Sequence, residues 1–208
     1  MKRLAILGAS GHGKVVADAA AAAGWDEMVF YDDAWPRRGT NGRWAVAGDT
    51  AVLVDALHEY DGVIVGVGSN RTRLDLTRRL IGSGAHLVSV IHPRAVISRY
   101  AEIGVGTVAF AGAVINVDTS VGKGCIINTG ATVDHDCALA DAVHLSPGAH
   151  LAGGVKVGEA SWVGIGACVK QLVTIDSDVT VGAGAVVVSH VPAEQTVVGV
   201  PAKPLERE

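Results

Sequence analysis

A six-residue beat over residues 97–192, preceded by a glycine-rich turn between an apolar strand and an alanine-rich helix, predicts an α/β domain followed by an all-β solenoid. The beat holds for sixteen blocks, from ISRYAE to VVSHVP, with no insertion. The first residue of each block is Ile, Val or Leu, Ala109 excepted, and the fifth is Ala, Thr, Cys, Val or Ser. A period of six is neither the helical 3.6 nor the strand alternation of two. It fits a short strand plus a corner, with the large apolar residue turned inward and the small one filling the bend.

Three such blocks close a triangular coil, and coils stack at about 4.8 Å, the spacing of paired strands. Sixteen blocks give a little over five coils. An ordinary β-sandwich with glycine-rich turns would not hold one register for so long. The blocks resemble the hexapeptide repeat of the left-handed parallel β-helix. Three Cys lie within them: Cys125 and Cys137 in the small fifth slot and Cys168 closing its block. They read as packing residues in a reducing, cytoplasmic setting.

Ahead of the repeat, Arg3–Leu7 reads as a buried parallel strand and residues 13–23 as a helix, with Gly24 suited to a left-handed C-cap. A second strand at 28–31 ends in Asp32 and Asp33. Residues 34–44, with Pro36, Gly39 and Gly42, read as loop. Thr50 is placed to cap a helix reaching His58, 62–67 is another buried strand, and Ser69 caps a basic amphipathic helix, NRTRLDLTRRLI. A last strand at 86–91 precedes Pro93. The order β-α-β-loop-α-β-α-β is half of a doubly wound, Rossmann-like sheet. The expected domains are 1–92 and 93–208, and the repeat register is expected to fail only after Pro192.

Charged residues make up 18% of the chain and the net charge is −4, which argues against nucleic acid as a partner. The apolar run 4–7 is too short for a signal peptide, and no run reaches membrane-spanning length.

The turn GASGHGK offers backbone N–H groups and a helix N-terminus to a phosphate. It misses two stronger motifs. The fingerprint G-x-G-x-x-G needs glycine where Ser10 stands, and the G-x-x-x-x-G-K-[ST] pattern meets Val15 after Lys14. Asp32 falls where a carboxylate commonly takes ribose hydroxyls. Ligand binding and plain strand–helix packing both explain the glycines.

In block VDHDCA, Asp134, His135 and Asp136 stand at outward positions, and His144 follows nine residues after His135. An outward imidazole beside a carboxylate suits a general base, and equally a solvated polar corner. Pro147, Ile165 and Ala183 recur every eighteen residues, one above another, with Gly164, Gly166, Gly182 and Gly184 beside the upper two. That column reads as a smooth groove for an extended apolar arm, or simply as common small residues.

Taken together, the GxSGHGK loop, the Asp-Asp after the second strand, the hexapeptide coil and the His-acid pair followed by a second His resemble one family: bacterial sugar O-/N-acyltransferases of the sialic-acid acetyltransferase and PglD type. The resemblance implies that His135 is the general base and that Asp136 raises its basicity. It implies that His144, Ile165 and Ala183 contact acetyl-CoA, and that Ser10, Gly11, His12, Asp32, Asp33 and Gly68 hold a nucleotide-sugar. It further implies homotrimers with acetyl-CoA between neighbouring prisms, and no metal. Two departures stand out: Asp136 replaces the Glu of PglD, and the 34–44 segment carries Trp35, Arg37 and Arg38.

The expected reaction is acetyl transfer to the 4-amino group of a UDP-linked 4-amino-4,6-dideoxyhexose, by direct attack. Cys137, in an inward slot, is not expected to act as nucleophile. Three alternatives remain: O-acetylation of a sialic acid or another sugar, zinc lyase chemistry on His135, His144 and His150, and a non-catalytic trimeric scaffold.

Overall fold

The computed structural model describes residues 1–205 and divides into two compact units, Met1–Pro93 and a second beginning at Arg94. In the first, β1 (Arg3–Leu7), β2 (Glu27–Tyr31), β4 (Trp44–Gly48) and β5 (Gly62–Val65) form a parallel sheet, with β3 (Thr40–Asn41) antiparallel at its edge. The strand order is β3-β4-β2-β1-β5. The chain therefore reverses its winding between β1 and β5, and the crevice beyond their carboxyl ends is where such sheets take ligands. Helices α1 (Gly11–Ala22), α2 (Thr50–Asp55) and α3 (Asn70–Gly82) complete the unit. Leu4, Ala5 and Ile6 of β1 are wholly buried, as a continuous apolar strand covered on both faces requires.

Four expectations need correction here. Residues 34–44 are not all loop. Asn41 pairs with Trp44, so Gly42-Arg43 is a two-residue hairpin loop with Gly42 at φ 67°. Glycine at the first position of such a loop is a hairpin signal, and the alternation of Trp44–Gly48 gives the strand that follows. The cap of α2 is Asp49, whose carboxylate accepts the Val52 N–H at 3.0 Å, not Thr50; the helix stops at Asp55, short of His58. Ser69 occupies the N-cap position of α3 without a side-chain capping bond. The strand expected at 86–91 shrinks to a bridge at Leu87 and the pair Val90–Ile91.

In the second unit each strand from Val96–Ile97 to Val186–Val187 is two residues long and joins the sixth position of one block to the first of the next. Partners stand eighteen residues apart, as in Val114–Ile115 on Thr132–Val133 and His144–Leu145 on Trp162–Val163. Three parallel ladders result, the sides of a triangular parallel β-helix. First-position residues such as Ile115, Ile127 and Leu145 are almost wholly buried, each contributing about 1.5–3 kcal/mol. The fifth slot closes the corners. Ala113, Ala131, Ala149, Ala167 and Ala185 line one of them, all buried. At another, the Thr107 hydroxyl donates to Gly122 O at 2.8 Å and accepts from Cys125 N at 3.0 Å, tying adjacent coils.

The sixteenth block does not keep step. Val186–Val187 still pairs at eighteen residues with Cys168–Val169, but Val191 bridges Ile175 and Thr196 pairs with Thr180, each at sixteen. Pro192 has no N–H for a ladder and the chain cuts the corner before it. Lys203–Pro204 then folds back antiparallel on Thr196–Val198. Among the described residues no helix is long and apolar enough to cross a membrane.

Candidate active site

From Gly106 to Gly184 each coil corner bends through a left-handed fourth position. Glycine fills it at Gly130, Gly148 and Gly166, but in block VDHDCA it is Asp136, at φ 59°. Asp tolerates this region better than most residues, and the residue one coil below, Asp118, adopts it too. The bend turns the Asp136 carboxylate back onto the preceding ring, with His135 Nδ1 to Asp136 Oδ2 at 2.6 Å. Asp134 Oδ1 accepts from the His135 N–H at 2.9 Å and from Asn116 Nδ2 at 3.0 Å. Those two donors hold Asp134 below the usual carboxylate range.

The His135 imidazole is pushed above its ordinary value, first by the Asp136 bond and then by the Asp134 charge. With Nδ1–H engaged by the carboxylate, Nε2 carries the lone pair. The side chain is 57% exposed. An imidazole so arranged can take a proton.

The column of Pro147, Ile165 and Ala183 stacks as the eighteen-residue spacing requires: Gly166 N–H donates to Pro147 O at 3.1 Å and Gly184 N–H to Ile165 O at 2.8 Å. Pro147 has no N–H, and those of Ile165 and Ala183 make no bond among the described residues. They border an apolar groove of about 290 Å³ walled by Ser146, Trp162, Gly182 and Ala183. A Cβ on Gly164 would stand 2.6 Å from Val181 O, so glycine there is required by the backbone of the next coil. Trp162 escaped the sequence reading. Its Nε1–H donates to Ser146 Oγ at 2.6 Å, and its ring stacks on His144 at 5.5 Å between centroids and 5° between planes. Its position eighteen residues after His144 was the available signal.

The structure brings His144, Ile165 and Ala183 together and places His135 with Asp136 at a different corner of the triangle. His150, the third histidine of the zinc reading, bonds Thr132 Oγ1 through Nδ1 at 2.9 Å. Among the described residues of this one chain no three His, Cys, Asp or Glu side chains gather at metal-ligand geometry.

In the N-terminal unit the glycines separate into two kinds. Gly8 and Gly13 are packing residues: a Cβ on Gly13 would lie 2.2 Å from Gly8 O, and one on Gly8 2.6 Å from Val67 Cγ2. Gly11 has nothing within 4 Å of that point and Gly68 only His12 Cβ at 3.9 Å, and neither has a left-handed backbone. No protein neighbour calls for glycine at these two positions, which leaves open space at the helix start. A cleft of about 160 Å³ beside them is lined by Gly8, Asp32, Asp33, Thr50, Val67 and Thr72.

Asp32 is partly occupied in holding the loop: Oδ2 accepts Ala9 N–H at 2.7 Å and Oδ1 accepts Ala34 N–H at 2.9 Å. Asp33 is held below the usual range by Thr50, whose N–H lies 2.9 Å from Oδ1. Ser10 Oγ reaches Gly66 O at 3.5 Å. Burial, and secondarily the Arg73 charge, push the His12 imidazole down to about 4, so it is neutral at pH 7.

Comparison with known proteins places this architecture. A family model described as the PglD N-terminal domain matches residues 3–80. The acetyltransferase domain of PglB from Neisseria gonorrhoeae FA1090, solved in complex with acetyl coenzyme A, superposes with a TM-score of 0.94 at 47% identity, covering 98% of this chain and 99% of that one. This chain belongs to the PglD family of acetyltransferases. PerB from Caulobacter crescentus, solved with CoA and GDP-perosamine, has a TM-score of 0.94 at 40% identity, covering 99% of this chain and 98% of that one. A curated relative, UDP-N-acetylbacillosamine N-acetyltransferase of Bacillus subtilis (strain 168), is 37% identical over 113 residues. That match spans about half of each protein, 53% of this chain and 52% of the relative.

In this PglD-family chain the unusual 34–44 segment folds onto the glycine turn. Arg38 Nη1 donates to Ala9 O at 2.7 Å and stands 3.5 Å from Asp32 Oδ2, and the buried Asn41 donates to Ser10 O at 3.1 Å. The two kinds of glycine give a contrast that thermal melts can read. Gly13→Ala is expected to cost about 1–3 kcal/mol by overpacking. Gly11→Ala is expected to leave the melting temperature within a few degrees, by the usual scaling of about 4–8 °C per kcal/mol for a small domain. It should abolish the thermal shift produced by a nucleotide-sugar. Equal stability loss in both variants would contradict the distinction.

Proposed function

We propose that this chain transfers the acetyl group of acetyl-CoA to the 4-amino group of a UDP-linked 4-amino-4,6-dideoxyhexose. The observation that carries the proposal is the His135–Asp136 pair, a 2.6 Å bond that leaves Nε2 as proton acceptor on the outer surface of the coil. As the amine nitrogen bonds to the thioester carbonyl carbon, His135 Nε2 takes its proton, and the carbon–sulfur bond breaks to release CoA. Asp136 stabilises the imidazolium that forms. An outward backbone N–H faces the developing oxyanion. Cys137 takes no part: burial pushes its thiol up, and Sγ donates to Ala152 O at 3.3 Å. No acyl-enzyme forms there.

The groove suits the donor. An apolar floor and the free N–H groups of Ile165 and Ala183 match an extended arm of amides and methylenes, and His144 stands at its border through Trp162. Because this groove and His135 occupy different corners, the chain acts as a homotrimer in which one protomer's His135 meets the groove of its neighbour. The N-terminal unit, with Ser10, Gly11, His12, Asp32, Asp33 and Gly68, holds the nucleotide-sugar. Two structural relatives carry CoA or acetyl-CoA, and the nucleotide-sugars named for relatives are a UDP- and a GDP-linked sugar.

The test is product formation, read by mass spectrometry, with acetyl-CoA and UDP-, GDP- or dTDP-linked 4-amino-4,6-dideoxyhexoses, alongside sialic acid. The expected product gains one amide-bound acetyl group on the UDP-linked acceptor. A gain only on sialic acid hydroxyls contradicts the amine assignment. A second expectation concerns the donor: Ala183→Trp fills the groove and should raise KM for acetyl-CoA by about tenfold or more, with KM for the acceptor unchanged. An unchanged donor KM would remove the groove from the account.

A further inference from the structure

Gly153 lies one coil beyond His135, its neighbour Gly154 donating to His135 O at 2.9 Å. A Cβ on Gly153 would stand 2.6 Å from Cε1, 2.7 Å from Nε2 and 3.2 Å from Nδ1 of the His135 ring. Its backbone is outside the left-handed region, so its own conformation makes no demand for glycine. The adjacent Gly154 is different: it has φ 69°, and a Cβ there would meet Leu172 Cδ2 at 2.7 Å. Among the described residues, the three atoms nearest such a Cβ on Gly153 all belong to the imidazole.

We infer that Gly153 is a positioning residue for proton transfer, its bare backbone being the surface on which the His135 ring rests. The inference rests on the reading of His135 as base. The side chain is 57% exposed. Two contacts fix its place: the Asp136 carboxylate at Nδ1 and the Gly153 backbone against its Cε1–Nε2 edge. A methyl group at 153 overlaps the nitrogen that accepts the proton. Because the atoms it meets end a flexible side chain, the ring swings away and the coil stays. The lost quantity is alignment, and a misplacement of about 1 Å can cost on the order of 10²-fold in rate.

The test uses the full-length Gly153→Ala protein with three readouts: thermal unfolding, the His135 titration followed by NMR at ring Cε1, and steady-state kinetics with acetyl-CoA and the amino sugar. The melting temperature is expected to stay within about 3 °C. Turnover is expected to fall at least about tenfold with both KM values kept within about twofold, the signature of an interaction used in the transition state. The His135 pKa is expected to drop toward its ordinary value as the Asp136 bond is lost.

In a His135→Ala background nothing remains for the methyl to displace, and Gly153→Ala should change residual turnover by less than about twofold. A His135 titration that Gly153→Ala leaves unmoved overturns the inference. So does a melting temperature lowered equally with and without the His135 ring, which would assign the glycine to the coil. Undiminished turnover in His135→Ala sinks the base reading instead. The NMR titration, which needs no substrate, decides the ring's support separately.

Discussion

His135→Ala is expected to turn over about 10²–10⁴-fold more slowly than the unsubstituted protein, the usual contribution of a general base. Its affinity for acetyl-CoA, measured by titration calorimetry, should be unchanged, because the apolar groove of Trp162, Ile165 and Ala183, and not this imidazole, is assigned the donor. The pH dependence carries the second half of the argument. A general base works deprotonated, so the rate falls as pH drops through the pKa of His135. Asp136 is the first cause of that pKa being raised. Asp136→Asn should therefore move the acid limb of kcat/KM to lower pH while reducing the plateau, since a weaker base accepts the proton less readily. An acid limb that stays in place would assign it to another group. Full activity in His135→Ala would end the general-base account.

Arg73→Met is expected to produce the largest loss of stability. Arg73 is 1% exposed on α3, and its guanidinium donates to Val67 O at 3.1 Å, Gly68 O at 2.9 Å and Asn70 Oδ1 at 2.8 Å. It fastens the turn after β5 that faces the glycine loop across the crevice. Removing it leaves three half-buried acceptors without this donor at about 1 kcal/mol or more each, so a total on the order of 3 kcal/mol is expected. Urea denaturation measures this directly. Nucleotide-sugar affinity should fall with it, because Gly68 loses its support. A loss below about 1 kcal/mol would mean that the turn holds its shape unaided.

Much of this was legible in the sequence because the coil is almost one-dimensional. A period of six fixes which residues are inward, and eighteen fixes which are stacked; the buried Ile115, Ile127 and Leu145 follow from the first rule, the Pro147–Ile165–Ala183 column from the second. The same arithmetic places His135 and Ile165 on different corners.

What the period does not carry is the side-chain geometry between columns. The stack of His144 on Trp162 and the ring of His135 on Gly153 depend on rotamers. Asp136 shows a further limit, since a fourth-position Asp meets the demand of a left-handed bend whether or not it does chemistry. In the N-terminal unit the misreadings came from local signals that compete. Pro36, Gly39 and Gly42 made 34–44 look like loop, although Gly42-Arg43 is also a hairpin turn. Thr50 looked like a cap, but Asp49 before it makes the bond. Gly8, Gly11, Gly13 and Gly68 were indistinguishable until the space above each was known.

One distance tests the central claim most directly: that between His135 Nε2 and the acceptor nitrogen in a crystal structure with CoA and the nucleotide-linked amino sugar bound. A value of about 2.6–3.2 Å, or the same span bridged by one water, is expected, with the CoA sulfur beside the same nitrogen. An acceptor nitrogen beyond that reach of every His135 in the assembly would contradict it.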